Sequence, residues 1–316
     1  MSAVRLARAI GASNLASILV DHAEFQRTVA DYAAATATAR EALAVHPVIE
    51  LEARARSVLG ETLWRQSRLD ESQAEYERAR EILERAGDRS GLADLFNKMA
   101  SVEFVRGGRY EEAAELFRLS LAEHEVLHDD VMRAEDLNDL GACYRYLGRF
   151  EEAEQLFTQA LELNRKMGKL RLEAINLCNI AGALFAQGQH DLAQQRAEEG
   201  RTLGRQVDDK VPQLWGYVWE GLAWQGMGEL AEAERALREA VGVGRAFDNP
   251  RDRAGALARL GLLLADDLNR AGEGVPMLGE AIELLRSHGM VAAFSTISLA
   301  ELEAHLDRLT GQDSGS

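Results

Sequence analysis

The pentapeptide His124-Glu125-Val126-Leu127-His128 carries the residue types of a metal-dependent hydrolase. Two histidines four residues apart fall on one helix face and can share a zinc ion. The glutamate between them can then act as general base on the metal-bound water. Such a site needs both histidines inside one continuous helix, together with a third ligand. The extended form of the pattern places a glycine and a third histidine downstream, where this chain has Val131 and Ala134. Asp129 and Asp130 follow the second histidine directly, and the remaining third-ligand candidates, Glu151, Glu152 and Glu154, belong to a later segment. The expectation is a helix end carrying two incidental histidines, with a zinc hydrolase through His124, Glu125 and His128 as the alternative.

Other catalytic arrangements are not supported. Gly107-Gly108 lacks the pattern of a phosphate-binding loop, and the histidines are scattered. Cys143 and Cys178 have no metal-ligand spacing and cannot make a disulfide framework, so both read as packed thiols in a reducing, cytoplasmic setting. Glu151-Glu152 and Glu198-Glu199 read as solvated helix faces. The chain is read as having no enzymatic activity, no cofactor and no bound metal.

The elements around these residues come from composition and periodicity. The 316 residues include 52 acidic against 36 basic side chains, a net charge of −16, which opposes direct binding to nucleic acid or an anionic membrane. No apolar run reaches the ~20 residues of a spanning helix. The opening MSAVRLARAIGASNLASILV reads as helix rather than a cleaved leader. Four prolines and abundant Ala, Leu, Glu and Arg favour an all-α chain.

A period of about 40 residues organises it. In DLNDLGACYRYLGRFEEAEQLFTQALEL (136–163), Leu137, Leu140, Gly141 and Tyr144 make one helical stripe, and Ala153, Phe157 and Ala160 make a second. Numbering this copy from Ala134 puts Gly141 at repeat position 8. That position recurs as Ala23, Gly60, Ser101, Gly141, Ala181, Gly221 and Gly261. Position 20 recurs as Ala35, Ser72, Ala113, Ala153, Ala193 and Ala233, and position 27 as Ala42, Ala79, Ser120, Ala160, Gly200 and Ala240. The seventh copy needs a one-residue insertion, giving Gly274 and Ala281. Small residues at these positions let two helices approach, while the large residues between them fill the core. Gly108, Gly148, Gly188 and Gly228, at position 15, mark the turn inside each pair.

This pattern resembles the tetratricopeptide repeat. Its length matches the longer repeats of kinesin light chains, spindle-orientation adaptors and the sensor regions of bacterial signalling ATPases and transcription activators. The resemblance implies an all-α, right-handed superhelical solenoid of antiparallel helix pairs, with about seven repeats. The expected division is a lead-in helix (1–15), repeats over 16–290 starting near 16, 53, 94, 134, 174, 214 and 254, a capping helix (291–309) and a disordered tail (310–316). In the third copy His124 takes position 31 and His128 position 35, where other copies have the helix terminators Gly87, Gly168, Asp208 and Asp248.

The family's concave groove is lined by the free face of each first helix, so partner-binding candidates come from those positions. Early copies supply Trp64, Arg65, Arg106, Arg145 and Tyr146, and the three arginines either suit acidic groups of a partner or are neutralised by acidic neighbours such as Glu61 and Glu103. Lys98, Asn138 and Asn179 follow, the asparagines suited to a peptide backbone. Late copies turn apolar with Ile175, Phe185, Trp215, Val218, Trp219 and Leu222, which read as a contact surface or as a face covered by the capping helix or a neighbouring domain. The carboxylate clamp of chaperone-binding repeats is not reproduced: position 9 holds Glu24, Glu61, Val102, Ala142, Gly182 and Leu222. The expected function is a protein-interaction scaffold taking a peptide or partner segment with acidic and apolar groups. A sensory module of a bacterial signalling or transcription-regulator system and self-association are the other readings.

Overall fold

In the computed structural model, residues 12–45, 47–247, 249–288, 290 and 297–311 are described. Most of the expected lead-in helix (1–11), the start of the expected capping segment (291–296) and tail residues 312–316 lie outside them. The described residues form α-helices with no strand, and the chain divides into two compact units, Met1–Leu147 and Gly148–Ser316. The boundary falls inside the fourth copy.

Unit 1 contains α1 (Ala12–Thr28), α2 (Tyr32–Ala44), α3 (Ile49–Arg65), α4 (Leu69–Ala86), α5 (Arg89–Arg106), α6 (Tyr110–Leu127) and α7 (Asp130–Tyr146). Each packs on the next, and α3 also touches α1 and α5. Helix starts are capped where the sequence supplies an acceptor. Asp31, Asp88 and Asp129 receive the amides of Ala34, Gly91, and Val131 with Met132. Acidic first turns, such as Asp70-Glu71 in α4 and Glu111-Glu112 in α6, complement the helix dipole.

Close approach depends on the small positions. Ser72 donates to the Gly60 carbonyl at 2.7 Å, and the Tyr76 ring lies across Gly60 so tightly that a β-carbon there would stand 2.5 Å from it. Tyr76, Phe117 and Phe157 all take position 24, and all are fully buried. Each contributes roughly 1.5–3 kcal/mol of transfer free energy.

Unit 2 contains α8 (Phe150–Lys166), α9 (Leu170–Ala186), α10 (His190–Gln206), α11 (Lys210–Gly226), α12 (Leu230–Arg245), α13 (Pro250–Leu262), α14 (Ala271–Ser287) and α15 (Leu299–Thr310). Consecutive helices again pack in order, and α11 also packs against α9 and α13. A π-helical turn, Leu263–Asp267, follows α13. A π-turn holds one more residue than an α-turn, and it falls where the repeat frame requires its insertion. Gly261 and Gly274 then meet as the small positions of this pair, a β-carbon on Gly274 coming 2.5 Å from the Gly261 carbonyl. A Ser298–Glu301 capping box starts α15, which packs on α14 and buries Leu302.

The turn inside each pair has one backbone signature. Position 15 is left-handed in all seven copies: Ala30, Ser67, Gly108, Gly148, Gly188, Gly228 and, one residue later, Asn269. The fold is that of a helical solenoid of tetratricopeptide type, built from consecutive helix pairs.

Candidate functional site

The histidine motif sits at the end of α6. His128 is the left-handed C-cap (φ 56°), and its amide closes on the Glu125 carbonyl. Gly87, Gly168 and Asp208 at the same repeat position are also left-handed. His128 therefore stands outside the helix and does not share a face with His124. His124 is buried, with Nδ1 2.7 Å from Asp136 Oδ2. Ser120 and Asn97 complete the cluster, donating to Asp136 Oδ1 at 2.9 Å each. Burial pushes the Asp136 carboxyl up, and its hydrogen bonds from Asn97, His124 and Ser120 pull it back. The pairing recurs one copy on, where Asn164 Nδ2 donates to Asn176 Oδ1 at 2.8 Å. Both pairs join position 31 of one copy to position 3 of the next, so His124 holds a packing position. Among the described residues no three His, Cys, Asp or Glu side chains converge to hold a metal ion.

The first-helix faces of unit 1 form a trough of three adjoining cavities, of about 350, 400 and 230 Å³. The first two share Glu61, Asp94 and Lys98, and the last two share Trp64 and Ser101. Of the residues read as groove from the sequence, Trp64, Arg65 and Lys98 line it. Lys98 donates to Ser57 at 3.1 Å and lies 4.0 Å from Glu61, and Arg65 stacks over Trp64 at 4.3 Å.

The arginine row does not assemble as an acid-binding strip. Arg106 is satisfied by Asp70 at 2.9 Å and Glu103 at 3.7 Å, and Arg145 lies over Tyr146. Tyr146 itself stacks on Tyr110 at 4.6 Å and meets Phe104 edge-on. Asn138 donates to Asp139 at 3.2 Å rather than standing open for a peptide backbone. Sequence reading named Glu24 and Glu61 at position 9 but missed the trough's other carboxylates, Glu50, Asp88, Asp94, Glu135 and Asp139, and together they outnumber Arg27, Arg54, Arg65 and Lys98. Three of those cations are already paired, Arg27 with Glu61 at 2.7 Å, Arg54 with Glu24 at 2.9 Å and Lys98 with Glu61 at 4.0 Å.

The late apolar stripe in unit 2 is partly closed. Val218, Trp219 and Leu222 are buried, with Phe185 and Trp215 packed against them as partly buried neighbours. The cause is Gly182 on α9: the Trp219 indole lies where a β-carbon of residue 182 would be, 2.7 Å away. Ile175 is partly buried and Asn179 is 9% exposed. Burial pushes the Asp252 carboxyl up, and the nearby Trp215 indole offsets part of that push. Of the expected anchors, Val218, Trp219 and Leu222 are therefore core residues, while Ile175, Phe185 and Trp215 stay partly exposed.

One further cavity of unit 2, about 300 Å³, is lined by Arg201, Arg205, Tyr217, Glu220 and Trp224 with residues of α12. Arg201 pairs with Glu220 at 2.6 Å and stacks over Tyr217 at 4.7 Å, and Arg205 donates to the Tyr217 hydroxyl. Glu220 takes position 7, where Leu59, Leu140, Ile180 and Leu260 stand in other copies.

The tetratricopeptide repeat family matches residues 51–122, 91–166 and 132–206. No curated protein matches the chain in sequence. Among solved structures, a signal transduction ATPase with numerous domains and a tetratricopeptide repeat sensor, from Pyrococcus horikoshii, superposes with a TM-score of 0.71 at 16% identity. That match covers 93% of this chain but 43% of the ATPase, so the chain spans less than half of that protein's length. The quorum sensor NprR from B. thuringiensis, in its apo form, gives a TM-score of 0.71 at 16% identity, covering 95% of this chain and 83% of the sensor. A Rap protein complexed with competence and sporulation factor gives 0.59 at 14% identity, covering 87% and 79%.

Proposed function

With residues 51–206 belonging to the tetratricopeptide-repeat family, we propose that the chain is an interaction module that takes a segment of a partner protein along the trough of unit 1. The observation that carries this reading is the continuity of three cavities over α3, α5 and α7, with Trp64 at a shared wall. A Trp side chain beside apolar and charged groups is the usual composition of an energetic hot spot. The likeness to a Rap protein complexed with competence and sporulation factor supports a polypeptide ligand at the level of fold. No described helix is long and apolar enough to cross a membrane.

The test is selection from a random heptapeptide display library on the full chain, beside an Ala142→Trp variant that fills the smallest cavity and is checked for equal helicity. Peptides enriched on the wild type and lost on the variant support the reading. Equal enrichment on both, or none on either, overturns it.

A second reading is a sensory segment of a signalling regulator, favoured by the superposition on 43% of the signal transduction ATPase. It predicts further domains in the native reading frame. A stop codon after Ser316 and a start at Met1, with no adjoining domain, would contradict it.

A further inference from the structure

The smallest cavity of the trough, about 230 Å³, is walled by Trp64, Phe104, Val105, Phe117 and Ala142, and its one ionisable lining group is Asp139. Asp139 occupies repeat position 6 of the fourth copy. The same position in the two preceding copies of unit 1 holds Val58 and Met99, both buried apolar residues. Packing therefore gains nothing from a carboxylate there; it costs desolvation. Its hydrogen-bond partner is the neutral Asn138 amide, and the charges that reach it are the carboxylates of Glu135 and Asp136. Burial, reinforced by those two like charges, pushes the Asp139 carboxyl up to about 7. Among the described residues no cation pairs with this carboxylate, and the cavity beside it has apolar walls on which an alkyl stem can lie, with Val105 57% exposed at its mouth.

Resting on the reading of the trough as a segment-binding site, we infer that the Asp139 cavity takes a lysine or arginine side chain of the bound segment, its stem against Trp64 and Phe104 and its head at the Asp139 carboxylate. The surrounding charge agrees. The trough carries an excess of carboxylates, and three of its four cations are already paired within the chain. A chain of net charge −16 also steers basic segments toward it and acidic ones away. The partner chemistry is thus basic, where the arginine positions alone suggested acidic groups.

The test repeats the heptapeptide selection on the full chain and on Asp139→Asn, which is close to isosteric and removes the buried charge. The wild-type pool is expected to carry Lys or Arg at one fixed place, and the Asp139→Asn pool to enrich binders without that preference. A wild-type pool with no fixed basic residue, or the same residue fixed on Asp139→Asn, overturns the inference and leaves the segment-binding reading intact. Absence of any enrichment overturns both. A second measurement uses the wild type alone: one selected peptide and its norleucine analogue at the basic place are titrated by calorimetry. The analogue is expected to bind about tenfold more weakly or worse, and equal binding overturns the inference.

Discussion

The His124 imidazole is held 2.7 Å from the Asp136 carboxylate, both buried, at the junction of position 31 of one copy with position 3 of the next. Asn164 and Asn176 make the same junction in unit 2 at 2.8 Å. His124→Ala leaves Asp136 buried with a partner missing and is expected to destabilise by about 2–4 kcal/mol. The double variant His124→Asn/Asp136→Asn copies the natural pair and should recover most of that loss. Urea denaturation of the three proteins checks both. A His124→Ala variant as stable as wild type would contradict the packing role.

Gly60 and Tyr76 define the closest approach in the second pair, with 2.5 Å left for a β-carbon. Gly60→Ala must displace the fully buried Tyr76 ring, and a loss of about 1–3 kcal/mol is expected. Gly242→Ala, on a helical glycine with nothing within 4 Å of the added carbon, is expected to stabilise by about 0.5–1 kcal/mol. Thermal melts of the two variants should shift in opposite directions.

Much of this architecture was legible in the residues. The 40-residue recurrence of small positions gave the helix pairs, and His128 fell at a terminator position shared with Gly87 and Gly168. The seventh copy's extra residue was visible in the spacing, but not that a π-turn at Leu263–Asp267 would absorb it. The site was less legible, because groove positions were assigned from the first-helix face alone. Whether such a face is open depends on the neighbouring copy: Gly182 admits Trp219 and closes part of the late stripe, while Trp64 and Ala142 leave a cavity. Arg106 likewise found Asp70 on a different helix, a pairing that no periodicity reports.

Asp139 makes stability depend on pH. Its folded-state value, about 7, lies above the ordinary aspartate value of about 3.9. Between these values the folded chain binds more protons than the unfolded chain, so this contribution is full below about 4 and is lost as pH rises through 7. The difference in melting temperature between Asp139→Asn and wild type should therefore grow, in favour of the variant, from pH 5.5 to pH 8. A difference independent of pH would contradict the raised carboxyl.

Glu220 and Arg201 form an ion pair, 2.6 Å apart, with Glu220 at a position where four other copies have Leu or Ile. Glu220→Leu strands a largely buried guanidinium and should cost about 3–5 kcal/mol. Adding Arg201→Met removes the stranded charge and should restore stability to near wild type or above it. Chemical denaturation of the single and double variants measures the coupling, and additive losses would contradict it.

The most direct test of the trough as the binding surface is hydrogen–deuterium exchange on the full chain, with and without a selected peptide. Slowed exchange over residues 49–65, 89–106 and 130–146, with 210–226 unchanged, is the predicted result. Protection confined to 210–226 or elsewhere in unit 2 would contradict the account and return the binding surface to the late repeats.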